Sequence, residues 1–502
     1  QNKMNKKLSY RVALLLCLVV KKSESADAPG RGPFGDTILT QPVLGAARAQ
    51  SAEGWKVGKL CEIGAEHNNT NATAVLQAAI DDCGDREEGG TVLVRNRTVL
   101  RSASLWLRSN LTVRVEAGSA LVGTATGYGN KTSGKNVNCT DAPMVYTRRE
   151  CVMMDAHAGF LNGGRCVSRR RTTGGDECAS WTTLENVVLE GGGVLDANAE
   201  AWFDESDPAF ESRTRPMMLD LLWIRGLTVR DVAIRRPGFW TVHPCFCDNV
   251  VIQNNSIVTR GANTDGLDPD SSWNVYVADN VFDNGDDCIA IKSGRDASGR
   301  AVNISTRNVL AERNTYRAGH GVSIGSETSA WVLDVVVRDS VLHGTQRAVR
   351  IKSARGRGGG ARNVTYSNLT GTVLDAVSLT LHYGPEQPET NNSATPEIHD
   401  VLVKDLDLTT DLALTSSEPN YLECLGLDDS PITGVVFDNV RVDSGRRFLQ
   451  SHCEFCSGTA DDASQPQPCF IDDDARTPLR TPAPLLPQQQ NDDGEHVVSS
   501  LS

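Results

Sequence analysis

Beyond about residue 90 the apolar positions come in short runs that alternate with polar ones, the period of a strand with one buried face. NVVIQNNSIV (249–258) and NVYVADNVFD (274–283) show the pattern. Such runs recur at intervals of roughly 20 to 35 residues, the spacing of a solenoid. They also resemble one another: Asn186-Val187, Asn249-Val250, Asn274-Val275, Asn308-Val309, Asn363-Val364 and Asn439-Val440 each open a unit, the wider gaps leaving room for a coil without the signature. Asn suits a corner, where its side chain can satisfy the turn's backbone. Units that cannot bury an apolar face alone bury it by stacking. The pattern predicts an all-β fold, a single-stranded right-handed parallel β-helix. A β-sandwich is the alternative, but hairpin signals are scarce, Asn284-Gly285 being the main exception.

One segment has the other period. In NATAVLQAAIDDC (71–83), Leu76, Ala79, Ile80 and Cys83 fall at helical spacing, which predicts an amphipathic N-terminal helix capping the first coil. Near the start, Lys6, Lys7 and Arg11 precede the apolar run Val12 to Val20, which reads as a secretory signal peptide over 1–26 and is too short to span a bilayer. The β-helix is expected over 50–456. From Ser457 the chain turns rich in Asp, Pro, Gln and Ser, so 457–502 is expected to be a disordered tail.

Composition sharpens this. Aromatic content of 5% and 45 glycines suit a thin core of Val, Ile and Leu. A net charge of −13 argues against a nucleic-acid partner. It also means that a polyanionic substrate would need local positive charge in its groove. Sequons at Asn68, Asn71, Asn96, Asn110, Asn130, Asn138, Asn254, Asn303, Asn363, Asn368 and Asn391 favour a eukaryotic secretory route, hence a secreted, extracellular glycoprotein. Of 14 cysteines, Cys17 lies in the signal segment, which leaves 13 and at least one unpaired within the chain; Cys288, inside an apolar strand, is the candidate. Cys139, Cys151, Cys166 and Cys178 are expected to staple a loop. The pairs Cys245/Cys247 and Cys453/Cys456 lack the compact spacing of a zinc module, so disulfides are the better reading.

Four short segments carry candidate chemistry: Asn263-Thr264-Asp265-Gly266, Gly285-Asp286-Asp287-Cys288, Gly319-His320-Gly321 and Arg350-Ile351-Lys352. Asp265 to Asp286 spans 21 residues, Asp287 to His320 spans 33, and His320 to Arg350 spans 30, each close to one coil. Residues one coil apart stack on one face, so three carboxylates, a His, an Arg and a Lys should line one groove. Carboxylates so grouped cannot all ionise freely. Sugar hydrolysis needs this, one carboxyl donating a proton to the leaving oxygen while an ionised one activates water. Arg350 and Lys352 point the same way on a strand and can hold a sugar carboxylate. Singly, each segment has a bland reading: a turn, a solvated or calcium-binding acidic pair, a solvated basic face.

Together they resemble glycoside hydrolase family 28, the polygalacturonases, whose signature segments NTD, G/QDD, GHG and RIK are all present. NTDGLDPDSSWNV, NGDDCIAIKSG and GHGVSIGSE, with GGTVLV, SNLTVRVEAGSALVGT and FWTVHP upstream, resemble the bacterial and plant-type members, and the likeness covers roughly 55–450. The resemblance implies inverting hydrolysis of α-1,4-galacturonosyl linkages in an acidic polysaccharide, with endo or exo action open, by a monomer using no metal or organic cofactor. It assigns Asp286 as general acid, Asp265 and Asp287 as the pair that activates water, and His320 as the group holding the acid in its working state. Arg350 and Lys352 would bind the galacturonate carboxylate, with Asn263 and Tyr383 beside them at the substrate. Rhamnogalacturonan or xylogalacturonan hydrolysis, calcium-assisted elimination by a pectate lyase, and a non-catalytic pectin-binding β-helix glycoprotein are the alternatives. The stretch 138–181 has no clear counterpart; an inserted loop beside the groove would block one end and force exo action.

Overall fold

The computed structural model describes residues 58–472 apart from 96, 125–142, 173–174, 200–202, 204–214, 385–393, 411–418 and 446–447. The signal-peptide reading, Cys139, and the sequons at Asn96, Asn130, Asn138 and Asn391 lie outside the described residues.

Strands stack in parallel, coil on coil, along three faces, forming the expected right-handed parallel β-helix. The first face includes Gly90–Val94, Leu111–Val115, Leu184–Glu190, Ile224–Arg230, Asp248–Gln253, Trp273–Ala278 and Thr306–Glu312. The third includes Leu161–Asn162, Leu219–Leu222, Val242–Cys245, Ile289–Ile291 and Val322–Gly325. Farther along, Val332–Lys352 and Gly360–Thr380 are continuous strands that run through all three faces. Inward positions of successive coils (Val187, Leu227, Val250, Val275, Val309, Val335, Val364, Val401, Val435) form one continuous buried core. The helix Thr73–Cys83 turns Leu76, Ile80 and Cys83 into the end of that core, and Cys83 is bonded to Cys61 of the first strand.

The Asn-Val signature has a backbone cause. Asn186, Asn249, Asn274, Asn308, Asn363 and Asn439 all have φ between 54° and 60°, a left-handed corner that Asn tolerates better than most residues. Their side chains stack as a ladder: Asn274 Nδ2 donates to Asp248 Oδ1 (2.7 Å), Asn308 Nδ2 to Asn274 Oδ1 (2.7 Å) and Asn363 Nδ2 to Asp334 Oδ1 (2.7 Å). Asp334 and Asp400 take the same turn in coils without the signature. A second, buried ladder runs through Asn255, Asn280 and Asn314, each donating to a strand carbonyl and each bonded to its neighbour.

Two expectations need correction. Ordered structure does not stop at 456: Cys456–Ala460 pairs in parallel with Ile432–Asp443, and Ile471–Asp472 pairs with it in turn. Disulfides Cys424–Cys456 and Cys453–Cys469 fasten this last coil, which supplies the stability that its polar composition lacks. The cysteine pairing is the second: of the four expected to staple one loop, Cys166 pairs with Cys178 while Cys151 is a buried free thiol, and Cys245 and Cys247, expected in disulfides, are buried free thiols too; Cys288 is free, as expected. Among the described residues, no helix is long and apolar enough to cross a membrane.

Candidate active site

The alternation that buries Ile289, Ile291, Val322, Ile324, Val349 and Ile351 turns their neighbours out of the third face. Leu267, Ile289 and Val322 are in register. Asp265, Asp287 and His320, each two residues earlier, therefore stack at the same edge. Arg350 and Lys352, in register with Ser323 and Gly325, come one coil later.

Asp287 is 1% exposed and both its oxygens are held. Ser323 Oγ (2.7 Å) and Arg350 Nη1 (3.1 Å) donate to Oδ1, and Lys352 Nζ donates to Oδ2 (2.8 Å). Burial pushes its pKa up, but Lys352, His320 and Arg350 outweigh that and hold it well below the ordinary carboxylate value.

Asp286 is only partly covered. The Asn263 N–H donates to Oδ2 (3.0 Å) and the Asp287 N–H to Oδ1 (2.9 Å). His320 Nδ1 lies between the two carboxylates at ion-pair distance, 3.1 Å from Asp286 Oδ1 and 3.4 Å from Asp287 Oδ1. Burial favours the neutral imidazole, yet the two carboxylates prevail and raise the His320 pKa to about 9. In return, although burial raises Asp286, the His320 contact leaves it below its ordinary value. The glycines around His320 are required by space: Gly319 has φ +100°, and a Cβ there would lie 2.3 Å from the Asp286 carbonyl; at Gly321 (φ +82°) it would lie 2.1 Å from that of Arg347.

Asp265 lies deeper, and among the described residues no protein donor reaches its Oδ1. Its nearest cation is Lys292, with Nζ 3.8 Å from Oδ2. Burial dominates and raises its pKa to about 7, against the pull of Lys292 and with the help of the Asp286 and Asp287 charges. Of Asp265, Asp286 and Asp287, the carboxyl that resists ionisation is thus Asp265. Asp286, which the resemblance makes the acid, is kept anionic in the free protein by His320 and two backbone N–H groups.

Tyr383 lies beside the two cations, its ring 4.8 Å from Lys352 Nζ and 5.6 Å from the Arg350 guanidinium carbon. Asn263 Oδ1 accepts from Arg215 Nη2 (3.0 Å). Arg215 also donates to the Ala262 carbonyl (2.8 Å) and lies between the rings of Phe203 and Phe239. Sequence reasoning missed Arg215, Ser323, Lys292 and Asp268. The last three stood inside GHGVSIGSE, NGDDCIAIKSG and NTDGLDPDSSWNV, and their alternation with apolar residues was the available signal.

Residues 144–181 pack beside this groove. Met144–Arg149 and Val152–His157 form an antiparallel hairpin, and Cys166–Thr172 with Gly175–Trp181 form another. The first sends Arg148 onto the third face, fully buried, with Nε 3.0 Å from Asp270 Oδ2 and its guanidinium over Phe246. Beneath it, Thr147 Oγ1 donates to Asp220 Oδ2 (2.7 Å), and Asp220 Oδ1 faces His243 Nδ1 (2.9 Å). An aromatic run of Tyr146, Trp181, Trp223 and Phe246 closes the contact. Among the described residues, two groups have donor atoms close enough to share an ion: His243 with Cys245 and Asp270, and Asp286 with Asp287 and His320. In both, Arg or Lys already neutralises a carboxylate, so a metal would meet like charge.

The model for Glycosyl hydrolases family 28 matches residues 154–463, and so begins within residues 144–181, part of the stretch expected to have no counterpart. A probable polygalacturonase of Vitis vinifera is 29% identical over 268 residues, covering 52% of this chain and 53% of that protein. An exo-poly-alpha-D-galacturonosidase of Dickeya chrysanthemi is 26% identical over 376 residues, covering 65% and 57%. The chain thus spans between half and three-fifths of the length of these curated relatives. Among solved structures, an exopolygalacturonase from Thermotoga maritima superposes with a TM-score of 0.64 at 21% identity, over 83% of this chain and 94% of that one. The polygalacturonase from Erwinia carotovora gives 0.61 at 21%, over 81% and 98%. At these identities the superpositions show a shared fold.

Proposed function

The chain belongs to glycosyl hydrolase family 28, and on that premise we propose that it is a polygalacturonase, hydrolysing α-1,4-galacturonosyl linkages of homogalacturonan with inversion. The observation that carries this reading is the convergence of Asp265, Asp286, Asp287 and His320 with Arg350 and Lys352 on one face of the solenoid.

Inverting hydrolysis needs a proton for the leaving oxygen and a base for water on the opposite side. The proton comes from the Asp286–His320 pair, which holds one between them. In the free protein it resides on His320; as a glycosidic oxygen reaches Asp286, the carboxyl takes it and delivers it. Asp287, fixed by Ser323, Arg350 and Lys352, and Asp265, with Oδ1 open, orient and deprotonate the water. Arg350, Lys352 and the Tyr383 ring receive the sugar carboxylate and supply the positive charge that the net −13 hides. Asn263, braced by Arg215, borders the opposite side. Because Arg350 and Lys352 also hold Asp287, a sugar carboxylate drawing on them loosens their grip on the base, coupling substrate binding to base strength.

The hairpins over 144–181 pack against the third face, with Arg148 on Asp270, and this inserted structure beside the groove supports exo action. The signal-like segment and the sequons support secretion into a cell wall, and the extended fold with a self-contained site supports action as a monomer. The test is release of reducing ends from polygalacturonic acid, with product sizing, by wild type and by Asp286→Asn. Cleavage to monomers by wild type, with loss of orders of magnitude in the variant, is the expected outcome. Products absorbing in the ultraviolet would indicate a lyase, and binding without cleavage a non-catalytic protein.

A further inference from the structure

Beneath the groove, one ammonium group sits among three carboxylates. Lys292 is 3% exposed, and its Nζ lies 3.1 Å from Glu327 Oε2, 3.7 Å from Asp268 Oδ1 and 3.8 Å from Asp265 Oδ2, over the face of the buried Trp240 ring (4.4 Å). Asp268 has no exposure, and among the described residues neither of its oxygens accepts a hydrogen bond from a protein donor. The alternation of the third face explains the grouping. Asp268 follows the inward Leu267 and Lys292 the inward Ile291, Asp270 is in register with Lys292, and Asp265 stands two residues before Leu267 at the edge of the face.

We propose that Lys292 is a positioning residue for Asp265, and that Asp268 is the buried partner that carries the proton the pair must keep, leaving Asp265 as the anion that faces water. This rests on the hydrolytic reading above. Three anions around one ammonium would leave two negative charges uncompensated; Arg357, 3.9 Å from Glu327, offsets one, and the other cannot stay unpaired in a buried site, so the cluster retains a proton. Glu327 does not hold it. It makes the shortest contact with Lys292 and lies 3.9 Å from Arg357; burial raises its pKa, but Lys292 and Arg357 bring it to about 2. Asp268 is the more enclosed of the two that remain, and burial together with the Asp265 charge raises it well above the ordinary value. Asp265 shares the single cation and keeps Oδ1 unbonded, the arrangement a water-activating carboxylate requires. The other charged or titratable groups acting on the cluster are Asp286, Asp287 and Lys352 from the third face, Arg215 across the groove, and Cys151 from the inserted hairpin.

Two measurements test this separately from the hydrolytic reading. Infrared difference spectra of the intact protein at about pH 8.5, above the range in which Asp265 titrates, wild type minus Asp268→Asn, should show the carbonyl stretch of one protonated carboxyl, lost in the variant. Its persistence would place the proton elsewhere and overturn the proposal whether or not the protein cleaves polygalacturonate. In the activity assay, Lys292→Met should move the acid limb of the kcat profile up by about one pH unit, with KM changed less than about twofold, because Lys292 acts on Asp265 and not on substrate. An unmoved limb, or a loss confined to KM, would contradict the assignment. If Lys292→Met fails to fold, the infrared comparison still decides.

Discussion

Asp265 and Asp287 are the same residue, at aligned positions of neighbouring coils and nearly equally buried, yet their acidities are driven in opposite directions. Asp287 is surrounded by donors: a serine hydroxyl, a guanidinium and an ammonium bind it directly, and His320 stands beside it. Asp265 has one ammonium at 3.8 Å, shared with two other carboxylates, and one oxygen without a donor. Burial alone sets neither group. The number and closeness of opposite charges decide whether it is overcome, so a fold that repeats its geometry every coil can still give successive coils different chemistry.

The sharpest way to break the comparison is to remove each carboxylate. Asp265→Asn and Asp287→Asn should each lower kcat by about a thousandfold in the reducing-end assay, since both act on one water. Their stabilities should then diverge. The folded pKa of Asp265 is raised to about 7, so its contribution to stability is fully present below its unfolded value near 4 and is lost as pH rises toward 7. Asp265→Asn should therefore melt on the order of 1–3 °C higher than wild type at pH 8, with the gain fading toward pH 4. Asp287 is shifted the other way. Its contribution is present above the unfolded value and lost only as pH falls through its depressed folded pKa, so Asp287→Asn should melt lower at neutral pH.

Next in size, Lys352→Met strips Asp287 of one counter-charge and the substrate of one cation. It should reduce kcat/KM by roughly 10- to 100-fold, with KM rising as well as kcat falling. Smallest, Ser323→Ala removes one neutral donor from Asp287 and should cost only about 0.5–1.5 kcal/mol in transition-state stabilisation, read as a few-fold to tenfold drop in kcat/KM.

Much of this was legible in the sequence for a physical reason: a solenoid turns sequence spacing into spatial stacking. The Asn-Val repeat marked the left-handed corners, and the one-coil spacing of Asp265, Asp286, His320 and Arg350 marked the face. What the spacing could not convey was environment. Whether Asp265 or Asp286 resists ionisation depends on His320 Nδ1 settling between two carboxylates and on Lys292 being shared three ways, and neither follows from position along the chain. The last coil was misjudged because polar composition hides the disulfides Cys424–Cys456 and Cys453–Cys469 that hold it.

The contrast between the two aspartates can be measured directly by carboxyl carbon NMR of protein labelled at aspartate, with Asp265→Asn and Asp287→Asn used to assign the two signals. The account predicts that Asp265 titrates near pH 7 while the Asp287 signal stays that of a carboxylate throughout the range in which the protein remains folded. Both titrating together near the ordinary carboxylate value would contradict it.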